Sequence, residues 1–404
     1  MKATGIIVEY NPFHNGHLYH AQQAKEISGA DLVIAVMSGQ FLQRGEPAFV
    51  DKWTRSEMAL KNGIDLVIEL PYIYATGQAS DFAKGAVYLL DAIGCNSFCF
   101  GSEQGSIAPF LKTAKLLTVQ REEYDFLIRA AVQTGISYPK ALNEAYTALT
   151  GAEKGFADLT QPNNILGYHY IEAANVLGSA IKPMTIQRIA ANYHDPIDKG
   201  LTIASATGIR KAFFEEGSIE ELSRFLPPSS LQALVSFYET HGVFGSWELF
   251  YPLLRYTILK ERPESLKKFA EVTEGIENLI YEAAKKEHGF EGFIGRIKSK
   301  RFTRTRVQRM LTHIYTGFTW EQLHSFEKPS YLRLLGMSEK GRSYLNQQKK
   351  NIELPLISRA ADLNDPMGKL DIHASSMYLM GMGIDDLKRE FTTPPHYLAS
   401  SSSK

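Results

Sequence analysis

Five short apolar runs, each followed by a helix-like stretch, constrain this chain more than any other feature. They cover residues 4–9, 32–37, 66–70, 97–100 and 184–189. Runs this short and this nearly continuously apolar read as strands buried on both faces, and strands that alternate with helices pair in parallel. Helices are expected to start at cap-like residues such as Asp51 and Ser80 and to stop at Gly63 and Gly94. The fold class that follows is α/β, a doubly wound, Rossmann-like parallel sheet.

That topology directs attention to one edge. All strands of such a sheet open their carboxyl ends on the same side, where ligands bind. The stretches after the five runs, at 11–17, 38–47, 69–71, 101–105 and 190–195, are also the most polar, glycine-bearing and histidine-bearing of this half. The first contains His14-Asn15-Gly16-His17, placed between the apolar Gly5-Ile6-Ile7-Val8 and the helix-like Leu18-Tyr19-His20-Ala21. A strand, an Asn11-Pro12 turn and a helix start aim backbone N–H groups and a helix dipole at an anion. Two imidazoles three residues apart beside that site can share one phosphate.

The chain has 404 residues, more than one core usually serves, so three parts are expected: 1–215, a helical module at 216–290, and a basic, mainly helical region at 291–404. Forty-four basic and 44 acidic residues cancel, which argues against a generic polyanion binder and leaves room for a local basic patch. No apolar run approaches the ~20 residues that span a bilayer, and the N-terminus enters a strand without a leader, so no membrane association is expected. Cys95 and Cys99 share a strand at a separation of roughly 13 Å, too far for a disulfide. Reduced core cysteines and a cytoplasmic location are the expectation, with no metal-ligand set.

Beyond residue 215 the alternation stops. Residues 220–236, 247–259, 266–287 and 303–316 read as helices, 336–350 and 371–382 as mixed pieces, and Ser400–Ser403 as a frayed tail. Between Gly292 and Trp320 there is no acidic residue, while Arg296, Lys298, Lys300, Arg301, Arg304, Arg306 and Arg309 are all present. If 303–316 is a helix, Val307, Met310, Leu311 and Ile314 form its inward stripe and the arginines spread over the rest. A one-sign run in a neutral protein favours contact with nucleic-acid phosphates. Phe302, Tyr315, Phe318 and Trp320 belong either to the core or to a base-stacking surface.

The tetrad resembles the HxGH signature of the nucleotidyltransferase superfamily, and Ile203-Ala204-Ser205-Ala206-Thr207-Gly208-Ile209-Arg210 resembles that superfamily's late ISxTxIR-type signature. There the histidines clamp nucleotide phosphates while the α-phosphorus is attacked. Ser205 and Thr207, with Arg210 one turn on, would offer donors to the outer phosphates.

A narrower resemblance runs along nearly the whole chain. Residues 5–20, 38–47, Gly101-Ser102-Glu103, Pro162-Asn163-Asn164-Ile165-Leu166-Gly167 and 300–317 together resemble the bacterial tRNA(Met) cytidine acetate ligases. That family activates acetate with ATP as acetyl-adenylate, releasing pyrophosphate, and passes the acetyl group to N4 of the wobble cytidine of elongator tRNA(Met). The resemblance implies His14 and His17 as catalytic residues. It implies ATP contacts from Ile7, Val8, Glu9, Tyr10, Asn11, Pro12, Phe13, His14, Asn15, Gly16, His17, Leu18, Tyr19, His20, Gly101, Asn163 and Arg188, with Mg2+ accompanying the nucleotide. On the residues alone, Asn163 reads as a helix cap or an adenine contact, Arg188 as a phosphate contact or a surface ion pair, and 38–47 as a surface loop or a lid. The basic segment, with Lys298, Lys300, Arg301, Arg304, Arg306 and Arg309, becomes the tRNA-facing surface. Rival readings are a small-molecule adenylyltransferase, which has no use for the basic region, and a non-catalytic RNA-binding scaffold.

Overall fold

The computed structural model describes residues 1–136, 138–151, 153–189 and 203–399. The expected stretch at 190–195 and the serine tail from Ser400 lie outside the described residues. Strands β1 (Ala3–Val8), β2 (Leu32–Ser38), β3 (Leu66–Leu70), β4 (Ser97–Ser102) and β5 (Lys182–Gln187) pair in parallel, in the order β5-β4-β1-β2-β3. Every residue of β2 and β3 is buried, Glu69 included, as expected of their near-continuous apolar runs. β5, at the sheet edge, is mostly part-exposed, contrary to the expectation of burial on both faces. The order reverses between β1 and β4. A crevice at the carboxyl ends of those two strands is where a doubly wound sheet accepts a ligand.

The sheet does not end with the first half. β6 (Leu332–Ser338) lies antiparallel against β3, with Leu66 opposite Met337 and Glu69 opposite Arg333. β7 (Leu356–Ile357) and β8 (His396–Leu398) add to the far side of β6. The wholly parallel sheet expected within residues 1–215 is thus extended by strands from the region read as basic and mainly helical. Residues 336–350, whose order the sequence left open, supply the end of β6 and the helix Glu339–Gln348.

The helices depart from expectation for identifiable reasons. Asp51 caps Lys52–Lys61 by accepting from the Thr54 N–H at 2.7 Å, as expected. Ser80, by contrast, lies inside Ala79–Ala92, whose cap is Gln78. The expected helix 220–236 is divided by Pro227-Pro228 into a 3₁₀ turn, Glu220–Phe225, and Pro228–His241. Trp247–Leu266 runs longer than expected and breaks its helical geometry at Arg262, next to Pro263. Of 266–287, only Ile276–Lys286 forms the following helix. The cysteines are free and buried. No helix among the described residues is long and apolar enough to cross a membrane.

Two features join the second half to the sheet. Phe41, just past β2, sits in a ring cluster with Tyr72, Phe250, Tyr315 and Tyr378, at centroid distances of 6.1–6.3 Å. Behind it lies a buried charge cluster. Lys52 Nζ reaches Glu69 at 2.8 Å and Glu390 at 2.9 Å, and Arg333, fully buried in β6, reaches the same Glu390 at 3.4 Å.

Candidate active site

At the end of β1 the chain reverses through Tyr10, with φ of 51°, and a cis Asn11-Pro12 bond, and then enters the helix Asn15–Ser28. Arg55, fully buried, holds the strand ends around this turn. Its guanidinium donates to the carbonyls of Glu9 at 2.7 Å and Ser38 at 3.0 Å, and also to those of Gly39 and Val50. The Asn11 side chain accepts from the Phe49 N–H at 2.6 Å. The helix leans across the β1–β4 crevice, where His20 Nε2 meets the Cys99 carbonyl at 3.2 Å.

The two histidines of the tetrad form a reciprocal cap. His14 Nδ1 accepts from the Gly16 N–H at 3.0 Å, and His17 Nδ1 accepts from the His14 N–H at 3.3 Å. A ring nitrogen that accepts carries no proton, so in each neutral imidazole the proton lies on Nε2. The two rings stack, with centroids 3.7 Å apart and planes 27° from parallel, and the His17 ring also has a hydrogen bond to the Pro12 backbone. A Cβ at residue 16 would lie 2.8 Å from the His14 ring, which is why glycine stands between the pair.

Electrostatics keep both rings neutral. Burial, assisted by Arg188 and Arg210, lowers the His14 pKa from 6.5 to about 3. Burial and then His14 push His17 the same way, and burial takes His20 to about 4. The free protein therefore offers neutral N–H donors rather than imidazolium charges, and the positive charge comes from the arginines.

A second cluster faces the first. Arg188 crosses over Gly101 and donates to Asn163 Oδ1 at 3.2 Å. Asn163 is not the cap of its helix, Pro162–Leu177. The Glu103 carboxylate takes that role, accepting from the Asn163 side chain at 2.6 Å and the Asn164 N–H at 3.0 Å. On the opposite side, Ser205 caps the helix Ala206–Glu216 through the Gly208 N–H at 3.1 Å. Arg210 reaches back to the Asn11 carbonyl at 2.8 Å, Glu46 at 3.1 Å and Thr207 Oγ1 at 3.4 Å. Ser205 is thus committed to a cap while Thr207 accepts from Arg210. The motif residues of β1, β4, β5 and the late helix converge on the tetrad.

Comparison with known proteins places this geometry. A family model described as HIGH Nucleotidyl Transferase matches residues 1–390. A tRNA(Met) cytidine acetate ligase of Lysinibacillus sphaericus is 57% identical over 98% of this chain and 99% of its own length. The Bacillus subtilis protein of the same name is 42% identical over 97% of this chain and 95% of its own. The crystal structure of Thermotoga maritima TmcAL bound with alpha-thio ATP superposes with a TM-score of 0.89 at 33% identity, covering 99% of this chain and 100% of that one.

The chain belongs to the tRNA(Met) cytidine acetate ligase family of HIGH nucleotidyl transferases.

The segments that carried the resemblance beyond the tetrad look different in three dimensions from their sequence reading. The 38–47 stretch is neither a plain surface loop nor a free lid. Phe41, Leu42 and Pro47 are buried, and Gly45, with φ of +68°, lies so close to the helix Arg304–Thr316 that a Cβ would come within 2.2 Å of the Arg309 nitrogen. The Trp247 indole donates to the Gly45 carbonyl at 2.8 Å.

The basic segment also divides. Arg309 does not spread over the surface as expected. It is 9% exposed, and its guanidinium binds Glu271 at 2.9–3.1 Å. Arg301 and Arg306 share Glu274, Arg304 pairs with Glu291 and Arg296 with Glu287. The arginines of the acid-free run are therefore paired with four acids at 271–291, just upstream, which a tally confined to 292–320 misses. Arg301 and Arg304 keep side-chain exposures of 60% and 43%, and Lys298 and Lys300 are exposed. Phe302, Tyr315 and Phe318 are core residues, and Trp320 donates to the Val272 carbonyl at 3.4 Å.

Proposed function

We propose that this chain activates acetate with ATP and acetylates N4 of the wobble cytidine of elongator tRNA(Met). The observation that carries the reading is the pair of stacked, buried imidazoles whose Nδ1 atoms cap the helix start and whose neighbours are Arg188 and Arg210. Preorganised donors of this kind stabilise the charge that builds on phosphoryl oxygens as the α-phosphorus is attacked. An acetate oxygen attacks that phosphorus and pyrophosphate leaves. The cytidine amine then attacks the acetyl carbon of the mixed anhydride, AMP leaves, and the amine gives up one proton.

Arg188, Arg210, Asn163, Gly101, Ser205 and Thr207 surround the tetrad as nucleotide contacts. Lys298, Lys300, Arg301, Arg304 and Arg306 form the tRNA-facing set, and Arg309 supports their helix from within. Among the described residues no group of three or more His, Cys, Asp or Glu is arranged to hold a metal ion. Magnesium enters with ATP, ligated by its phosphates and by water.

The test is incubation with ATP, labelled acetate and tRNA, followed by mass spectrometry of the released nucleosides. Acetylated cytidine in the tRNA is expected. Unlabelled tRNA under conditions where pyrophosphate exchange proceeds would overturn the proposal.

A further inference from the structure

Glu46 sits between the two halves of the machinery. One carboxylate oxygen accepts from Arg210 at 3.1 Å, and the other accepts from the Gln308 side-chain amide at 3.2 Å. Arg210 continues to the Asn11 carbonyl at 2.8 Å, three residues before the first tetrad histidine. Gln308, 3% exposed, accepts in turn from Arg304 Nε at 3.2 Å. Arg304 is exposed and is also held by Glu291. An unbroken relay therefore runs from the turn beneath His14, through Arg210, Glu46 and Gln308, to a cation on the basic surface. Its centre is fixed, since Gly45 is wedged against the Arg304–Thr316 helix and tied to Trp247.

We infer that Glu46 is a positioning residue that couples occupancy of the nucleotide site to occupancy of the basic surface. The inference rests on the proposed reading that ATP binds at the tetrad and RNA at the basic segment. Its physical basis is competition at both ends. Nucleotide phosphates that draw Arg210 toward the tetrad take it from Glu46, whose charge is then held by Gln308. An RNA phosphate that draws Arg304 outward takes it from Gln308 and frees the amide to follow Glu46. Each ligand performs part of the rearrangement the other needs, so each tightens the other's binding by the same factor.

The test measures the dissociation constant of ATP with and without saturating tRNA, and that of tRNA with and without saturating ATP. It compares the full chain with Gln308→Met, which keeps the volume of the side chain and removes its link to Glu46. In the unaltered chain both ratios should agree and show tightening of about 5-fold or more. In Gln308→Met both ligands should still bind alone, and both ratios should fall to about one. Glu46→Gln, which removes the charge from the relay's centre, should abolish the ratio as well and change ATP affinity even without RNA. Equal ratios in Gln308→Met and the unaltered chain, or no tightening in the unaltered chain, would overturn the coupling and leave the proposed function standing. Failure of ATP or tRNA to bind the unaltered chain at all would remove both.

Discussion

His14 uses one ring for two purposes in the proposed function, since Nδ1 closes the helix N-terminus and Nε2–H is assigned to a nucleotide phosphate. The two can be separated by His14→Asn, because asparagine is among the best cap residues but has no donor at the Nε2 position. The thermal midpoint of the variant near pH 7.5 should stay within a few degrees of the parent's. Acetate-dependent ATP–pyrophosphate exchange should fall about 10²–10³-fold, the usual loss for one preorganised donor. Undiminished exchange would show that the ring only caps. The same side chain carries a pH prediction. In the fold it protonates only near pH 3, whereas the unfolded chain takes up the proton near 6.5. The unfolded state therefore binds more protons as pH falls through this window. Stability should be whole above about pH 6.5 and decline below it, by up to about 1.4 kcal/mol per pH unit for each such histidine. Melting at pH 7.5 and 5.5 checks this, since His14→Asn should lose less on acidification than the parent. Equal losses would mean that the ring is not held neutral.

At the scale of elements, the basic segment is the instructive case. Its helix was legible in the sequence because Val307, Met310, Leu311 and Ile314 recur at helical spacing, and all four are fully buried. The fate of its arginines was not legible, because the acids that pair with them, Glu271, Glu274, Glu287 and Glu291, come from neighbouring elements that only the fold brings alongside. Arg309→Met should accordingly behave as a stability mutant. It strands Glu271 in a buried position, for which about 3–5 kcal/mol is typical, and calorimetric unfolding should show the loss. Lys298→Ala with Lys300→Ala should leave unfolding unchanged and weaken tRNA binding. The salt dependence should flatten by about 0.7–0.9 in log–log slope for each phosphate that is no longer neutralised. A salt slope identical to the parent's would remove both lysines from the RNA surface. The tetrad was the opposite case, since strand, turn, helix and both histidines are contiguous, and contiguity is what a sequence displays directly. Glu46 was invisible for the converse reason, because its partners stand 164 and 262 positions away.

The whole molecule is organised around a sheet that its first half cannot finish. The five parallel strands were readable because each repeats one pattern, an apolar run followed by a helix. β6 breaks that pattern. It carries a buried Arg333, pairs antiparallel, and is fed by no crossover from its neighbour β3. A fragment of residues 1–215 leaves the β3 edge open and separates Lys52 and Glu69 from Glu390 and Arg333. Such a fragment should be insoluble or fail to melt cooperatively, as sedimentation and calorimetry would show. A soluble fragment with a sharp transition would mean that the parallel strands stand without β6.

The place of β6 in the chain also sets a schedule for synthesis. β3 ends at Leu70 and its partner begins at Leu332. A ribosome adding about 5–20 residues per second needs roughly 10–50 s to cover that distance. Throughout that interval the β3 border of the nascent sheet is bare. A factor that shields extended backbone at the tunnel exit would decide how much of this chain survives to be closed by the strands from Leu332 onward.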